Sequence, residues 1–305
     1  MKRKNNKTRK YKKVKNKAKY IKKNKTLKKL NCAPNPNNKK DYTCYSDKSL
    51  LKMRDLWNKR HPDKKIKTKN PKEIWDKLRI FMKDTCDVES CWLKQKFIET
   101  DLDKNLLNYT FAPHAPKIWK KNPNEWLSSM DIIRVMKQYE NFYKCFSFIG
   151  PSPINYDTHR SHGECVWREL CEFNIYNVYR ENKKKIGIIF NIDPDYKPGS
   201  HWVALFINLN DKNIYYFDSN GLPPHYQIKK FINNIKNQGK VNDLFFDYKY
   251  NNLQHQYSNT ECGMYCLYFI IQMLKDRDFK DFIKERIPDE EIMNLRKQYF
   301  NILRF

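Results

Sequence analysis

A cysteine stands where a polar loop gives way to an apolar helix near the end of the chain. It is Cys262, within the segment QHQYSNTECGMYCLYFIIQML of residues 254–274. The unpaired N–H groups and the positive dipole at a helix N-terminus favour a thiolate over a thiol, so Cys262 is suited to act as a nucleophile. Burial as a small apolar residue is the common alternative for a cysteine. The apolar residues that follow have helical spacing: Tyr265, Cys266, Phe269, Ile270 and Met273.

The residues that precede Cys262 have the composition of a helix start. Ser258, Asn259 and Thr260 are typical of caps and turns, and Glu261 complements the positive end of the helix dipole. This pattern predicts that the helix begins close to Cys262. A nucleophilic cysteine there needs a base from another part of the chain.

The base is supplied by a histidine at the start of a predicted hairpin. The segments HWVALFINL and IYYFDS have the β-branched and aromatic composition of strands, and a tight polar turn near residues 209–212 separates them. Pairing outward from that turn places His201 opposite residues 218–220. A carboxylate or amide at that point can fix the imidazole tautomer and leave the other ring nitrogen for the thiol.

Two residues compete to orient this histidine. Asp218 and Asn220 share a face of the strand, because side chains alternate along it. We favour Asp218, since it ends the apolar strand whereas Asn220-Gly221 is typical of the following turn. A carboxylate also stabilises an imidazolium better than an amide does.

An acyl-transfer enzyme also needs a donor for the oxyanion of the tetrahedral intermediate. Gln256 lies six residues before Cys262, in the loop that enters the helix. Its side-chain amide and the Cys262 N–H together suit an oxyanion hole, in which each donor is worth on the order of 10²–10³ in rate. Gln254 and His255 lie close enough in sequence to leave the choice of residue open.

Positive charge is concentrated at the start of the chain. The 305 residues carry a formal net charge of +27, and residues 1–30 contain sixteen Lys or Arg and no acid. Like charges with few apolar residues predict a disordered tail, whose natural ligands are polyanions. No base-reading motif accompanies the charge, so we expect non-specific nucleic-acid binding through residues 1–30.

A linker and a helical module are expected to follow the tail. Residues 31–46, with two prolines and several asparagines, are typical of a linker. Two helix starts come next, one capped by Asp47 or Ser46 and one at Asn70-Pro71. We assign residues 47–108 to a small helical module and residues 109–305 to the main domain. The expected contacts between the two helices involve Leu50, Leu51, Met53, Trp57, Trp75, Leu78, Ile80, Phe81 and Met82.

The nine cysteines lack the compact, even pattern of a secreted disulfide scaffold. We therefore expect reduced cysteines in an intracellular protein. Cys165 and Cys171 are expected in the core of a helix-like segment at residues 162–180. The longest apolar run, around residues 264–274, is too short to span a membrane, so no membrane association is expected.

A metal site is not indicated. Cys32, Cys44, Cys86 and Cys91 are spaced too widely for the paired ligands of structural zinc, and the chain has no CxxC pair. Neither a metal nor a cofactor is implied.

Trp126 and Leu127 stand just before another helix, which Ser128 or Ser129 caps. From the residues alone they are a hydrophobic staple or a core anchor.

These residues, in the order His201-Trp202, Asp218, Gln256 and Cys262-Gly263, resemble the motif of a known cysteine protease clan. The clan includes the SUMO and ubiquitin-like protein proteases and the adenovirus protease. Within it the chain is most similar to the virion-maturation proteases of large nucleocytoplasmic DNA viruses, including giant viruses. The resemblance covers about residues 110–305, and the steps from His201 to Asp218 and from Gln256 to Cys262 both fit.

The resemblance implies further properties. Trp202 would cover a glycine-glycine segment of the substrate, and Trp126, within WLSS at 126–129, would contact the substrate tail. A narrow tunnel would admit only small residues, hence cleavage after Gly-Gly or Ala-Gly. One branch of the clan has an asparagine beyond the usual acid position, which keeps Asn220 a candidate. Residues 47–105 and the basic tail have no counterpart in the SUMO protease core.

The expected fold is α+β, with a papain-like core in which a mainly antiparallel sheet packs on helices and the nucleophile begins a helix. The expected function is a thiol endopeptidase that processes viral core or structural precursors during virion maturation, in the virion and the host cytoplasm. The alternatives are a deSUMOylase or deubiquitinase acting on host conjugates and a non-catalytic, DNA-binding virion protein.

Overall fold

A computed structural model describes residues 27–35, 40–98, 108–241 and 243–302. Residues 1–26, most of the basic segment, lie outside these ranges. The prediction that this segment is disordered therefore falls outside the described residues. Within the described ranges no helix has both the length and the apolar content required to cross a bilayer.

A five-stranded mixed sheet forms the centre of the main domain, with its strands in sequence order. The central pairs β2–β3 and β3–β4 are antiparallel, as expected, while the outer pairs β1–β2 and β4–β5 are parallel. The strands are β1 Phe146–Pro153, β2 Lys185–Asn191, β3 Trp202–Asn208, β4 Asn213–Phe217 and β5 Asp247–Tyr250.

The hairpin predicted from the alternation of residues is formed by β3 and β4. Asn208 pairs with Asn213 next to the turn, and Ala204 pairs with Phe217 at the far end. This register brings His201, just before β3, and Asp218, just after β4, to the same end of the sheet. The β4–β5 connection is long enough for a helix, as parallel pairing requires, and it carries the chain to the other end of the sheet, from which β5 runs back to the end with His201 and Asp218.

Helices cover both faces of the sheet and form the N-terminal module. Three of the predicted N-caps are formed: Ser46, Asn70 and Ser128 each accept a backbone N–H, and Ser128 forms a capping box with Asp131. The α-helices that lie wholly within the described residues are α1 Asp47–Arg60, α2 Pro71–Met82, α3 Ser129–Phe142, α4 Arg168–Cys171, α5 Ile175–Arg180, α6 Tyr226–Lys240, α7 Cys262–Leu274, α8 Phe279–Ile283 and α9 Asp289–Tyr299.

The side chains of β3 point alternately to the two faces of the sheet, and each face is covered by its own apolar core. Ala204 and Phe206 face the core built around α7, whereas Val203 and Leu205 face the core that includes α6. α7 is buried along almost its whole length and on all sides, because α3, α9 and the sheet surround it. A helix in this setting keeps its first residue in a fixed position relative to β3 and β4.

A third core lies in the N-terminal module, between α1 and α2. It extends into the segments predicted to be tail and linker: Leu30 and Tyr45 are both buried, and Lys28 bridges to Val88. The apolar side chains of Leu30, Ala33, Cys44 and Tyr45 are buried, so the described part of residues 28–46 packs on the module at these positions while Lys28 and Lys29 stay exposed. Ile80 is half exposed, so it does not join the contacts expected between α1 and α2.

Residues 162–180 differ from the continuous helix expected there. His159 pairs with Cys165 in a short bridge, after which only the short helices α4 and α5 form. Cys165 and Cys171 are only partly buried and are bonded to each other, so they are not core residues. Gly163 adopts a positive φ of 83° at the turn, which interrupts the helix.

The structure contains disulfide bonds, although the spacing of the cysteines predicted none. Besides Cys165–Cys171, the structure pairs Cys32 with Cys44 and Cys86 with Cys91. The expectation of reduced cysteines is therefore wrong for these six, because folding brings together residues that are 5 to 12 positions apart. Cys145, Cys262 and Cys266 are free.

Candidate active site

Cys262 is the first residue of α7 and is buried, with 2% of its surface exposed. Glu261 is the N-cap of this helix, and its side chain forms no hydrogen bond with the N–H groups of the first turn. The capping predicted for Ser258, Asn259 and Thr260 therefore does not occur at this helix start. The positive end of the helix is left facing the cysteine rather than a capping oxygen.

Cys266 provides a contrast within the same helix. It lies one turn further on and is fully buried. Burial, together with the neighbouring Cys262, raises the pKa of the Cys266 thiol well above its usual range. Cys266 therefore stays protonated and unreactive.

The structure brings His201 and Asp218 together. The His201 Nε2 atom lies 2.6 Å from Asp218 Oδ1, and both side chains are buried or nearly so. The same Oδ1 atom accepts the backbone N–H of Asn220 at 2.9 Å. Asn220 Nδ2 lies 3.4 Å from His201 Nε2, so Asp218 is the nearer partner and Asn220 a second neighbour.

The electrostatic setting of His201 favours the charged imidazolium. Burial alone would lower the pKa of His201, but hydrogen bonds with Asp218 and Cys262 outweigh burial and raise this pKa to about 9. An imidazolium beside Cys262 is the arrangement in which a thiolate is stabilised by an adjacent positive charge.

Gln256 and Gln254, the two glutamines of the loop, have different surroundings. Gln256 is buried, whereas Gln254 is exposed and donates from Nε2 to the Gln256 carbonyl at 2.9 Å. His255 is also buried, and its Nδ1 accepts the Ile287 N–H at 3.1 Å, which directs it away from a catalytic role. Of the two glutamines, Gln256 is therefore the buried one and the better candidate for the oxyanion donor.

The sequence reasoning missed Asn251, a fully buried residue that holds the end of β4. Its Oδ1 accepts the Asp218 N–H at 2.9 Å, and its Nδ2 donates to the carbonyls of Asp218 and Leu253. This asparagine ties Asp218 to the loop that leads to Gln256. An asparagine just after β5 is an ordinary turn residue, and nothing in its sequence context distinguishes it.

Glu261 is held by a buried ion pair instead of by the helix dipole alone. Arg296 of α9 donates from Nε and from one terminal nitrogen to its two carboxylate oxygens, both at 2.9 Å. Another terminal nitrogen of Arg296 donates to the Glu125 carbonyl at 2.7 Å. One arginine therefore joins the residue before the nucleophile to the segment that carries Trp126.

A cleft of about 810 Å³ lies beside this site. Trp126 and Trp202 both line it, and Trp202 Nε1 donates to the Leu127 carbonyl at 3.2 Å. Trp126 is 38% exposed, while Trp202 is almost buried. Trp167 also lines the cleft. The sequence, which predicted a helix at residues 162–180, gave no indication of such a role for this residue.

Gly263, next to Cys262, has little room for a side chain. A Cβ atom there would lie 3.1 Å from Leu127 Cβ and 3.3 Å from Trp202 Cδ1. The start of α7 is thus pressed against the Trp126–Leu127 segment and Trp202, so the approach to Cys262 from this side is narrow.

Among the described residues, His159, Cys165 and Cys171 form the one group of three side chains near enough to share a metal ion. Because the two sulfurs are bonded to each other, neither is available as a thiolate ligand.

Comparisons with known proteins agree with this arrangement. A profile of the Ulp1 protease family, C-terminal catalytic domain, matches residues 177–303. A candidate thiol protease of Acanthamoeba polyphaga mimivirus is 30% identical over 295 residues, which cover 88% of this chain and 92% of that protein. A cysteine protease of African swine fever virus is 28% identical over 251 residues, 76% of this chain and 90% of that protein. In some isolates it is named a SUMO-1 cysteine protease.

The fold matches that of a solved viral protease. The crystal structure of the African swine fever virus protease has a TM-score of 0.62 and 23% sequence identity, and it covers 90% of this chain and 96% of that one. The likeness extends over the N-terminal module as well as the sheet, because the coverage includes most of both chains.

Proposed function

The chain belongs to the Ulp1 protease family and is a cysteine peptidase, and from this premise we propose that it is a viral thiol endopeptidase that cleaves after Gly-Gly or Ala-Gly segments. The observation that carries the proposal is the connected set formed by Cys262, His201 and Asp218 at the start of a buried helix. Family membership in a peptidase group argues against the alternative of a non-catalytic, DNA-binding virion protein.

The chemical roles follow from the positions of these groups. The Cys262 thiolate attacks the carbonyl carbon of the last glycine, and the Gln256 amide and the Cys262 N–H hold the resulting oxyanion. The His201 imidazolium protonates the leaving amine, and the acyl group remains on the sulfur. Neutral His201 then removes a proton from water as the water oxygen attacks the thioester carbonyl. The C–S bond breaks, which releases the product carboxylate and regenerates the thiolate beside the imidazolium. Asp218 orients His201 throughout, with Asn220 as a neighbour.

Specificity for glycine is supported by the crowding around Gly263. Trp202 and Leu127 lie against this glycine, and Trp126 lines the same cleft. A substrate segment without side chains passes such walls more easily than one with Cβ atoms. The proposed partners are therefore proteins with an extended glycine-rich cleavage segment, bound through Trp202 and Trp126.

We propose virion maturation as the biological setting, with the enzyme in the virion and in the host cytoplasm during infection. The support is that the mimivirus and swine fever relatives are proteins of large DNA viruses. Immature particle proteins are the natural test substrate. New N-termini mapped by mass spectrometry after incubation with wild type, and absent with Cys262→Ala, would identify the cleaved precursors.

Turnover of a Gly-Gly-X peptide tests the assignment of the nucleophile. Cys262→Ala should abolish turnover while the far-UV circular dichroism and melting temperature stay close to those of wild type. Cys145→Ala is the matched control, because Cys145 is also a free cysteine. Turnover that survives in Cys262→Ala would contradict the proposal.

The second candidate is a deSUMOylase or deubiquitinase that acts on host conjugates. The family profile and the name of the swine fever relative favour it. Ubiquitin-like probes with a C-terminal electrophile separate the two functions. Labelling of Cys262 by one modifier supports this candidate, whereas cleavage restricted to viral structural proteins supports maturation.

A further inference from the structure

Ser219, the residue after Asp218, makes three hydrogen bonds to the loop before the nucleophile. Its carbonyl accepts the N–H groups of His255 at 2.8 Å and Gln256 at 2.9 Å. Its hydroxyl lies 2.7 Å from Gln256 Oε1. Ser219 has 1% of its surface exposed, so water does not compete for these bonds.

The partners of Gln256 determine which way its amide points. Gln256 Nε2 lies 2.6 Å from the Ser258 carbonyl oxygen, which can only accept a hydrogen bond. The amide end at that position is therefore the NH₂ group, and the end that meets Ser219 is the oxygen. It follows that the Ser219 hydroxyl donates to Gln256 Oε1. The second N–H of Gln256 remains for a substrate.

Rotation of this amide by a half turn would reverse its chemistry. An oxyanion needs an N–H donor, and the glutamine oxygen in the same place would repel it. The flip would also set the oxygen against the Ser258 carbonyl, which can only accept, whereas the Ser219 hydroxyl could still accept from the NH₂ group. The Ser258 carbonyl therefore selects the donating orientation, and the bond from Ser219 holds the amide in place.

We propose that Ser219 is a positioning residue for the oxyanion donor, acting through Gln256 without contact with the substrate. The inference rests on the proposed function, since it presupposes the oxyanion role of Gln256. Asp218 holds the base and Ser219 holds the donor, so two consecutive residues at the end of β4 set both. Asn251 fixes this pair by binding the backbone of Asp218 on both sides.

The loss of a single hydrogen bond sets the expected effect. Ser219→Ala should lower kcat for a Gly-Gly-X peptide by about fivefold and leave KM nearly unchanged, because one neutral hydrogen bond is worth about 1 kcal/mol, which converts to that factor in rate. Ser219→Thr, which keeps the hydroxyl, should retain most of kcat. Ser147→Ala, on the opposite edge strand β1, is the matched serine control.

A double-substitution cycle separates positioning from general support of the fold. In a Gln256→Ala background, Ser219→Ala should cause no further loss of kcat, since the group through which it acts is absent. Alkylation of Cys262 by iodoacetamide passes through no oxyanion, so its rate should be the same in Ser219→Ala and wild type. A fall in that rate, or additive losses of kcat, would show a structural role and overturn the proposal.

The outcomes also separate this inference from the function on which it rests. If wild type turns over the peptide and Ser219→Ala does so with unchanged kcat, the inference alone is wrong. If wild type turns over neither the peptide nor any viral or ubiquitin-like substrate, the proposed function is wrong and the inference is wrong with it.

Discussion

The imidazole of His201 hydrogen-bonds with Asp218 and with Cys262. Its pKa of about 9 lies well above the ordinary value of about 6.5, so the proton is retained through neutral pH. The protonated form is the one that can deliver a proton to the leaving amine. Loss of this proton is the event that should limit activity in alkaline solution.

We therefore expect kcat/KM for a Gly-Gly-X peptide to fall as pH rises through about 9, with His201 as the titrating group. Asp218→Asn removes the charge that raises this pKa, so the alkaline limb should move to lower pH and kcat should fall by on the order of 10²–10⁴. A pH–rate profile of each protein checks both effects.

Asn220→Ala is the comparison for Asp218→Asn. Because Asn220 lies further from His201 Nε2, its substitution should leave the alkaline limb near that of wild type. A larger shift in Asn220→Ala than in Asp218→Asn would make the asparagine the principal orienting residue.

Individual site residues differ in how far the sequence reveals them. Cys262, His201 and Asp218 lie at the ends of regular elements. The helical spacing after Cys262 and the strand alternation of the hairpin therefore predict their positions. Ser219 and Asn251 act through hydrogen bonds between segments more than 30 residues apart in sequence. No local pattern encodes such a pairing, because it depends on how the loop after β5 docks against β4.

At the scale of secondary-structure elements, α7 and α9 are joined by the Glu261–Arg296 ion pair. Both side chains are almost fully buried, and the arginine also stacks over Trp119 with 4.4 Å between its guanidinium carbon and the ring centroid. A buried charge that loses its partner is costly, far more so than an exposed one.

Arg296→Ala should reduce the free energy of unfolding by about 3–5 kcal/mol, because it strands the Glu261 carboxylate in the interior. Urea denaturation measures the change. Arg168→Ala is the matched control, since Arg168 pairs with Glu172 at the surface and should change stability little.

A second comparison tests the cause of that loss. The double substitution Glu261→Gln with Arg296→Met should be more stable than Arg296→Ala alone, since no charge is left unpaired. An equal or lower stability would attribute the loss to packing of the arginine side chain instead of to the stranded charge.

The loop before α7 depends on a histidine that is buried in its neutral form. Burial, with help from the positive charge of Arg286, lowers the pKa of His255 to about 4. The unfolded chain takes up this proton first, at about 6.5, so stability should fall as pH decreases from about 6.5 to about 4.

Melting temperatures across that pH range provide the measurement for His255. His255→Gln cannot titrate, and it should therefore lose less stability than wild type between neutral and acid pH. Equal slopes in the two proteins would mean that another group is responsible.

Elements with a clear period were predictable, and irregular ones were not. The β3–β4 hairpin and α7 have the alternation or helical stripe expected of them. The segment at 162–180 contains helix formers, yet the paired cysteines and the positive φ of Gly163 hold it in a turn and two short helices. The bond between the two cysteines and the turn at Gly163 overrode the helical preference of the other residues.

At the scale of the whole molecule, the basic start of the chain and the catalytic domain are expected to contribute separately. Deleting residues 1–26, which hold fourteen Lys or Arg and no acid, should weaken DNA binding and flatten the slope of log affinity against log salt. The slope should change by about 0.9 for each DNA phosphate that the shortened protein no longer neutralises. Residues 27–30 are kept because Leu30 is packed in the N-terminal module.

Peptide turnover serves as the control for the deletion. It should be unchanged in the absence of DNA, since the deletion removes none of the proposed catalytic residues, which lie between positions 201 and 262. If DNA affinity and its salt slope both survive the deletion, another surface of the protein binds the polyanion.

The ion pair between Glu261 and Arg296 also bears on the order in which the protein is made. The ribosome synthesises His201, Asp218, Gln256 and Cys262 before it reaches Arg296. Until that arginine emerges, Glu261, the residue before Cys262, has a charge without its partner. We therefore expect a chain that ends before residue 296 to contain every proposed catalytic group and to lack the ion pair that holds the start of α7.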